Sequence, residues 1–239
     1  MLNPLFSLCV YLIEMVISYI FFASLSRPKR NSLRIILVGS LLFFCASGVN
    51  IIFRNNGLIN GLTTLLINVV FSRSCFDCPL QKSFFYTAIL AVLNAALEVA
   101  IISASSYIAG GSFSGYNSNF LLLIFQTITI KTLYFLIILV LIKTIHPGDT
   151  SNAIPLEFLV FPALTTVCQF ISWYICARLD TRYEVQFLLS ISSCCLFVAT
   201  VLLFFAYSHQ VKKERQTIQI QSCWAILKSI QQMPLFLHV

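Results

Sequence analysis

Charge is scarce in this chain. Only 8 Asp and Glu and 15 Lys and Arg occur in 239 residues, so 10% of positions are charged, against about a quarter in an average soluble domain. With 59% hydrophobic residues, there is too little polar side chain to clothe a water-soluble globule, and that class is excluded. Histidine is almost missing too: His146, His209 and His238 fall at or beyond the ends of apolar runs, and none stands in an H-E-x-x-H or nucleophile-base setting. No glycine-rich phosphate loop and no aromatic-basic interleaving occur. The net charge of +7 therefore gives no argument for nucleic acid. No internal repeat marks a duplicated transporter half, and polar interruptions such as "HPGDTSNAIPLE" are too short for a separate soluble domain.

What is present is a succession of apolar runs of the length a helix needs to cross a bilayer. Seven are expected, at Leu5–Leu25, Ile35–Phe53, Leu58–Phe71, Phe84–Ile108, Phe120–Ile142, Ile154–Ala177 and Val185–Tyr207. The third is short, and charge decides its status. With seven crossings and the N-terminus outside, Arg27, Lys29, Arg30, Arg34, Arg73, Lys82, Lys143, Lys212, Lys213, Arg215 and Lys228 fall inside, and Arg54, Arg178 and Arg182 outside. Removing the third crossing leaves most of the basic residues outside, against the positive-inside rule. The expected fold is thus all-α, a polytopic seven-helix membrane bundle with its N-terminus outside and its C-terminus cytoplasmic. The basic residues "SRPKRNSLR" after the first run, and the lack of a basic stretch before it, mark a retained span rather than a cleaved leader.

Three ionisable residues remain inside the spans: Glu14, Glu98 and Lys131. Each costs about 2.5–3.5 kcal/mol to insert and so calls for a partner or a wet cavity. Counted from the outer ends of their spans, they lie at depths of ~14, ~15 and ~16 Å, so they share one level and can meet. The fourth and fifth spans are consecutive, which makes Glu98 and Lys131 a natural pair. That pair either aligns two helices or lines an outward cavity that contributes to ligand recognition. A second candidate surface is polar and aromatic: Arg54 after the second span, Tyr116, Asn117 and Asn119 after the fourth, Arg178 after the sixth. Short polar loops are also what any multispan chain needs in order to turn. The cysteines within spans, Cys9, Cys45, Cys168, Cys176, Cys194 and Cys195, are expected to pack as small hydrophobes. Cys75 and Cys78 form a lone C-x-x-C with no second pair. No metal, cofactor or catalytic residue is assigned.

After Tyr207 the string "SHQVKKERQTIQIQS" lacks Gly and Pro and prolongs the seventh helix into water. Val211 and Ile218 lie seven apart, and Ile220, Cys223, Leu227 and Ile230 follow in a shifted register. Together with "YLIEMVISYIFF", "NGLTTLLINVVFS", "YNSNFLLLIFQTITIKTLYFLI" and "FFAYSHQVKKERQTIQIQS", the layout resembles the membrane sensor region of accessory-gene-regulator-type peptide-sensing histidine kinases of Gram-positive bacteria. The resemblance covers roughly residues 1 to 222. It implies a bacterial plasma-membrane receptor that binds a secreted, often cyclic, peptide from outside. It also implies an exit helix that pairs with its own copy or with a relative.

The organisation so expected is a sensor domain over 1–207, a linker helix over 208–222 and an atypical tail over 223–239. In the family a phosphoacceptor helix and an ATP-binding domain follow the linker, and "CWAILKSIQQMPLFLHV" matches neither. The expectation is a receptor-like chain without enzymatic activity of its own, either a natural short form or a shortened reading frame. A small transporter or permease subunit is the alternative, which the buried charges and Pro155 and Pro162 also allow.

Overall fold

The computed structural model describes residues 4–53, 57–108, 120–144, 160–168, 171, 174 and 183–231. Among these, the chain forms seven helices: α1 (Pro4–Leu25), α2 (Ser32–Ile52), α3 (Gly57–Cys75), α4 (Leu80–Ile108), α5 (Phe120–Thr144), α6 (residues 160–168) and α7 (Tyr183–Gln231). The breaks fall where the chemistry puts them. Pro4 occupies the first position of α1, where its missing N–H costs nothing, and α1 stops just before Arg27-Pro28. Asn31 takes an extended backbone ahead of α2, and the carbonyl of Pro79 accepts the first helical hydrogen bond of α4, from Ser83 N at 2.9 Å.

Five helices are long and apolar enough to cross a bilayer: Pro4–Leu25, Ser32–Ile52, Leu80–Ser105, Leu121–Lys143 and Ser190–Lys228. The described chain is all-helical, and these five helices mark it as a membrane protein. α1, α2, α4 and α5 agree with the expected spans to within a turn. The expected third span is a complete helix, α3, but Asn60, Thr63, Thr64, Asn68, Ser72 and Arg73 dilute its apolar character and it is not one of the five. The sixth expected span lies mostly outside the described residues.

Helix packing is cyclic. α1 packs on α2, α2 on α3, α3 on α4, α4 on α5, and α5 returns to α1, while α7 lies along α4 and touches α5. The ring has an inverted polarity that identifies its solvent. On α5, Leu121, Phe125, Ile128, Leu136 and Val140 are exposed, whereas Gln126, Lys131 and Tyr134 are buried with Leu123, Ile130 and Ile138. The apolar stripe points out and the polar one in, as a hydrocarbon solvent requires. Leu33, Leu37, Leu41 and Phe44 form the same outward stripe on α2.

One end of the ring is plugged by aromatics. Phe22, Phe43, Phe71 and Phe76 pack edge to face or tilted at 5.7–6.5 Å. Phe21 meets Tyr86 of α4 at 5.8 Å and Phe204 of α7 at 6.4 Å, and Phe85 meets Tyr207 at 5.0 Å. Beneath the plug the two connectors are knotted together, with Lys29 N bonded to Cys75 O at 2.9 Å and Asp77 N to Arg27 O at 2.8 Å. Short polar side chains tie the helices higher up. Ser18 on α1 donates to Asn68 on α3 at 2.7 Å, and Ser193 on α7 to the Ala96 carbonyl on α4 at 3.4 Å.

α7 is one helix of 49 residues, about 73 Å long at 1.5 Å per residue, more than twice the hydrocarbon thickness. It passes residues 208, 222 and 223 without a break. Beyond Val211, the side chains described up to Lys228 are exposed.

Gly39 on α2 leaves no room for a side chain: an added Cβ would stand 2.8 Å from Met15 Sδ and 2.9 Å from Phe71 Cε2, whereas at Gly48 it would meet nothing within 4 Å. Gly39→Ala is expected to destabilise the bundle by about 1–3 kcal/mol through overpacking, and Gly48→Ala to be neutral or stabilising by up to about 1 kcal/mol through helix propensity. Thermal unfolding of the two variants in lipid nanodiscs checks the contrast.

Candidate functional site

A single lysine organises the middle of the ring. Lys131 on α5 reaches Glu14 Oε1 on α1 at 2.5 Å, Asn94 Oδ1 on α4 at 2.8 Å and Glu98 Oε1 on α4 at 3.4 Å. An ammonium has three hydrogens, and three acceptors, one on α1 and two on α4, meet them. Asn94 and Glu98 stand four apart on one face of α4, and Asn94 Nδ2 donates to Glu98 Oε1 at 2.9 Å, so the amide both receives from the lysine and steadies its second carboxylate. One turn further along α5, the Tyr134 hydroxyl donates to the Leu90 carbonyl at 3.3 Å and pins α5 to α4. Tyr11, one turn before Glu14, lies beside the Asn50 and Thr64 side chains of α2 and α3.

The three members are not equally enclosed. Side-chain exposure is 6% for Lys131, 12% for Glu14 and 31% for Glu98. Glu14 is the close, enclosed partner and Glu98 the longer, more open one. Their formal charges sum to −1, and the excess lies in a region where an unmatched charge is expensive.

Of the residues singled out by sequence, the structure brings Glu14, Glu98 and Lys131 together. The closer partner is Glu14 rather than Glu98, because the ring closes α5 onto α1, a neighbour that chain order does not reveal. Arg54, Tyr116, Asn117, Asn119 and Arg178 lie outside the described residues, as do His146 and His238. Sequence reasoning missed Asn94 and Tyr134. A neutral amide and a phenol carry no insertion penalty large enough to draw notice, although the i, i+4 spacing of Asn94 and Glu98 was there to be read.

The cysteines divide against expectation. Cys9, Cys45, Cys194 and Cys195 are exposed on the outside of the bundle rather than packed within it, where an apolar solvent suits a thiol equally well. Cys75 and Cys78 are buried and unbonded to each other. Burial pushes the Cys78 thiol up from its ordinary range, against the opposing pull of Ser26, Lys82, Arg73 and Lys29, and it raises Cys75 likewise against Arg30. Both are held toward the unreactive protonated form. Among the described residues no group of three or more His, Cys, Asp or Glu is arranged to hold a metal.

No protein-family model matches the chain, and comparison with curated proteins and with solved structures likewise returns no match.

Distance and burial rank the two carboxylates. Glu14→Gln is expected to cost about 1–2 kcal/mol of stability, as weakening of a buried charge-assisted bond does, and Glu98→Gln less than about 0.5 kcal/mol, since its amide oxygen still accepts the long, open contact while the excess charge is removed. Thermal unfolding in nanodiscs gives the order, and a larger loss for Glu98→Gln would refute this ranking.

Proposed function

We propose that the chain is the membrane sensor region of a peptide-sensing, two-component signalling receptor. In this reading seven helices cross a bacterial plasma membrane, with the N-terminus outside and the C-terminus in the cytoplasm, and the positive-inside count favours that orientation. A secreted, often cyclic, peptide binds at the outer mouth. The observation that carries the reading is the continuity of α7: one helix packs along α4 inside the bundle and then projects far beyond any membrane. α4 also carries Asn94 and Glu98 of the ion cluster. A stimulus that shifts α4 against α5 is therefore felt by α7 through the Ser193 and Tyr207 contacts.

A peptide biases such a change only by the difference in its affinity for the two arrangements. The exit helix passes the signal on by pairing with a second copy or with a relative. Ile218, Ile220, Trp224, Ile226 and Leu227 are exposed on it, and such apolar side chains suit a partner helix. No catalytic residue is assigned to this chain. The second reading, a small transporter or permease subunit, is favoured by the buried ion cluster itself, since intramembrane charges also mark substrate pathways.

Co-expression tests the receptor reading. With a full-length peptide-sensing kinase of the resembling class, this chain is expected to form mixed pairs and lower the kinase's peptide-induced output in proportion to its own level. Ile220→Glu with Leu227→Glu should relieve that damping. Undiminished output at matched expression would count against the reading.

A further inference from the structure

At the plugged end of the ring the charge is almost all of one sign. The α1–α2 connector and the start of α2 carry Arg27, Lys29, Arg30 and Arg34, the α3–α4 connector and its flanking turns add Arg73 and Lys82, and the one acid among them is Asp77. The main-chain bonds from Lys29 to Cys75 and from Asp77 to Arg27 hold the two connectors as one unit. Lys29 Nζ and Arg73 Nη1 donate to the carbonyls of Arg73 and Cys78 at 3.2 and 3.0 Å, neutral partners that leave both charges uncancelled. Arg27, Arg30 and Arg34 are exposed, and their side chains make no hydrogen bond or ion pair among the described residues. α2 and α4 both start here with no acid in the first turn, and Asn31 provides no side-chain cap, so two positive helix ends add to the field. Such a surface selects an anion.

The face of α2 that follows Arg34 says which kind of anion. Arg34, Leu37, Leu41 and Phe44 follow at steps of three, four and three and so share one side of the helix. The three apolar members are 61%, 65% and 61% exposed. Their stripe reaches about 15 Å beyond Arg34, half the hydrocarbon thickness and thus the length of one acyl chain. Helical side chains lean toward the start of their helix, so Arg34 extends toward the connector and Arg30 rather than into hydrocarbon. A cation at one end and a chain-length apolar stripe beyond it, on one helix face, match the phosphate and the tail of a phospholipid.

We propose that this face of α2, with the connector beside it, is a binding site for an anionic phospholipid. Arg30 and Arg34 hold its phosphate, an acyl chain lies along Leu37, Leu41 and Phe44, and the surrounding cations repel the choline of a zwitterionic lipid. The site does not depend on whether the chain is a receptor or a transporter, nor on which leaflet this end faces.

Native mass spectrometry of the full chain in detergent micelles tests this, with phosphatidylglycerol, phosphatidylcholine and soluble glycerol phosphate as probes. The first phosphatidylglycerol is expected to bind at least about tenfold more tightly than the first phosphatidylcholine, and glycerol phosphate should not displace it. Arg34→Gln and Arg30→Gln should each weaken phosphatidylglycerol about fivefold while leaving phosphatidylcholine unchanged, and either carries the test if the other does not fold. Leu41→Ala with Phe44→Ala should weaken both lipids several-fold. Lys212→Gln with Lys213→Gln removes two charges where α7 leaves the bundle at this same end, just past the Phe85–Tyr207 contact, and should leave phosphatidylglycerol binding unchanged. Equal affinity for the two lipids, displacement by glycerol phosphate, undiminished binding in the arginine variants, or an equal loss in the α7 variant would overturn the site.

Discussion

The salt bridge between Lys131 and Glu14 is the constraint around which the bundle is arranged. An ammonium near mid-membrane is worth several kcal/mol of instability unless it is met on every side. Three helices converge to meet it: α1 brings Glu14, α4 brings Asn94 and Glu98, and α5 holds the lysine. Helices in lipid gain little from hydrophobic attraction to one another, and polar contacts with close packing decide which neighbours they choose. The closure of α5 onto α1, which turns a row of helices into a ring, is where the shortest of these contacts is made.

The remainder of the ring follows from what such a polar centre requires. Toward the α1–α2 and α3–α4 connectors, the aromatic plug of Phe21, Phe22, Phe71, Phe76 and Phe85 fills the space between the helices, and the knotted connectors hold it. Toward the opposite end the small apolar cluster of Val99, Ile102 and Ile130 packs between α4 and α5, and the hydrogen bond from Gln126 to Ser105 ties the same two helices. α4, packed by α3, α5 and α7, belongs to both ends. A helix in that position joins the polar centre to α7 by direct packing.

Much of this was legible in the residues. Apolar length located α1, α2, α4 and α5 to within about a turn, because a bilayer imposes a minimum run and polar loops interrupt it. The depth argument placed Glu14, Glu98 and Lys131 at one level, because rise per residue is fixed. Sequence could not say which carboxylate lies nearer the lysine. That depends on ring closure, a property of packing between helices far apart in the chain. It could not single out Asn94, whose role comes from its neighbour Glu98 rather than from any cost of its own. The outward-facing cysteines were misjudged for a related reason: in lipid, an apolar residue is as well placed on the surface as in the core, so apolarity no longer reports burial.

The most direct measurement of the central interaction is a double-mutant cycle on Glu14→Gln and Lys131→Met, with unfolding free energies taken in nanodiscs. Lys131→Met leaves two carboxylates facing each other without their cation and should cost the most, about 3 kcal/mol or more. The double variant should recover part of that loss, giving a coupling energy above about 1 kcal/mol. Additive losses would mean that α1 and α5 are not held together by this bond, and would contradict the account.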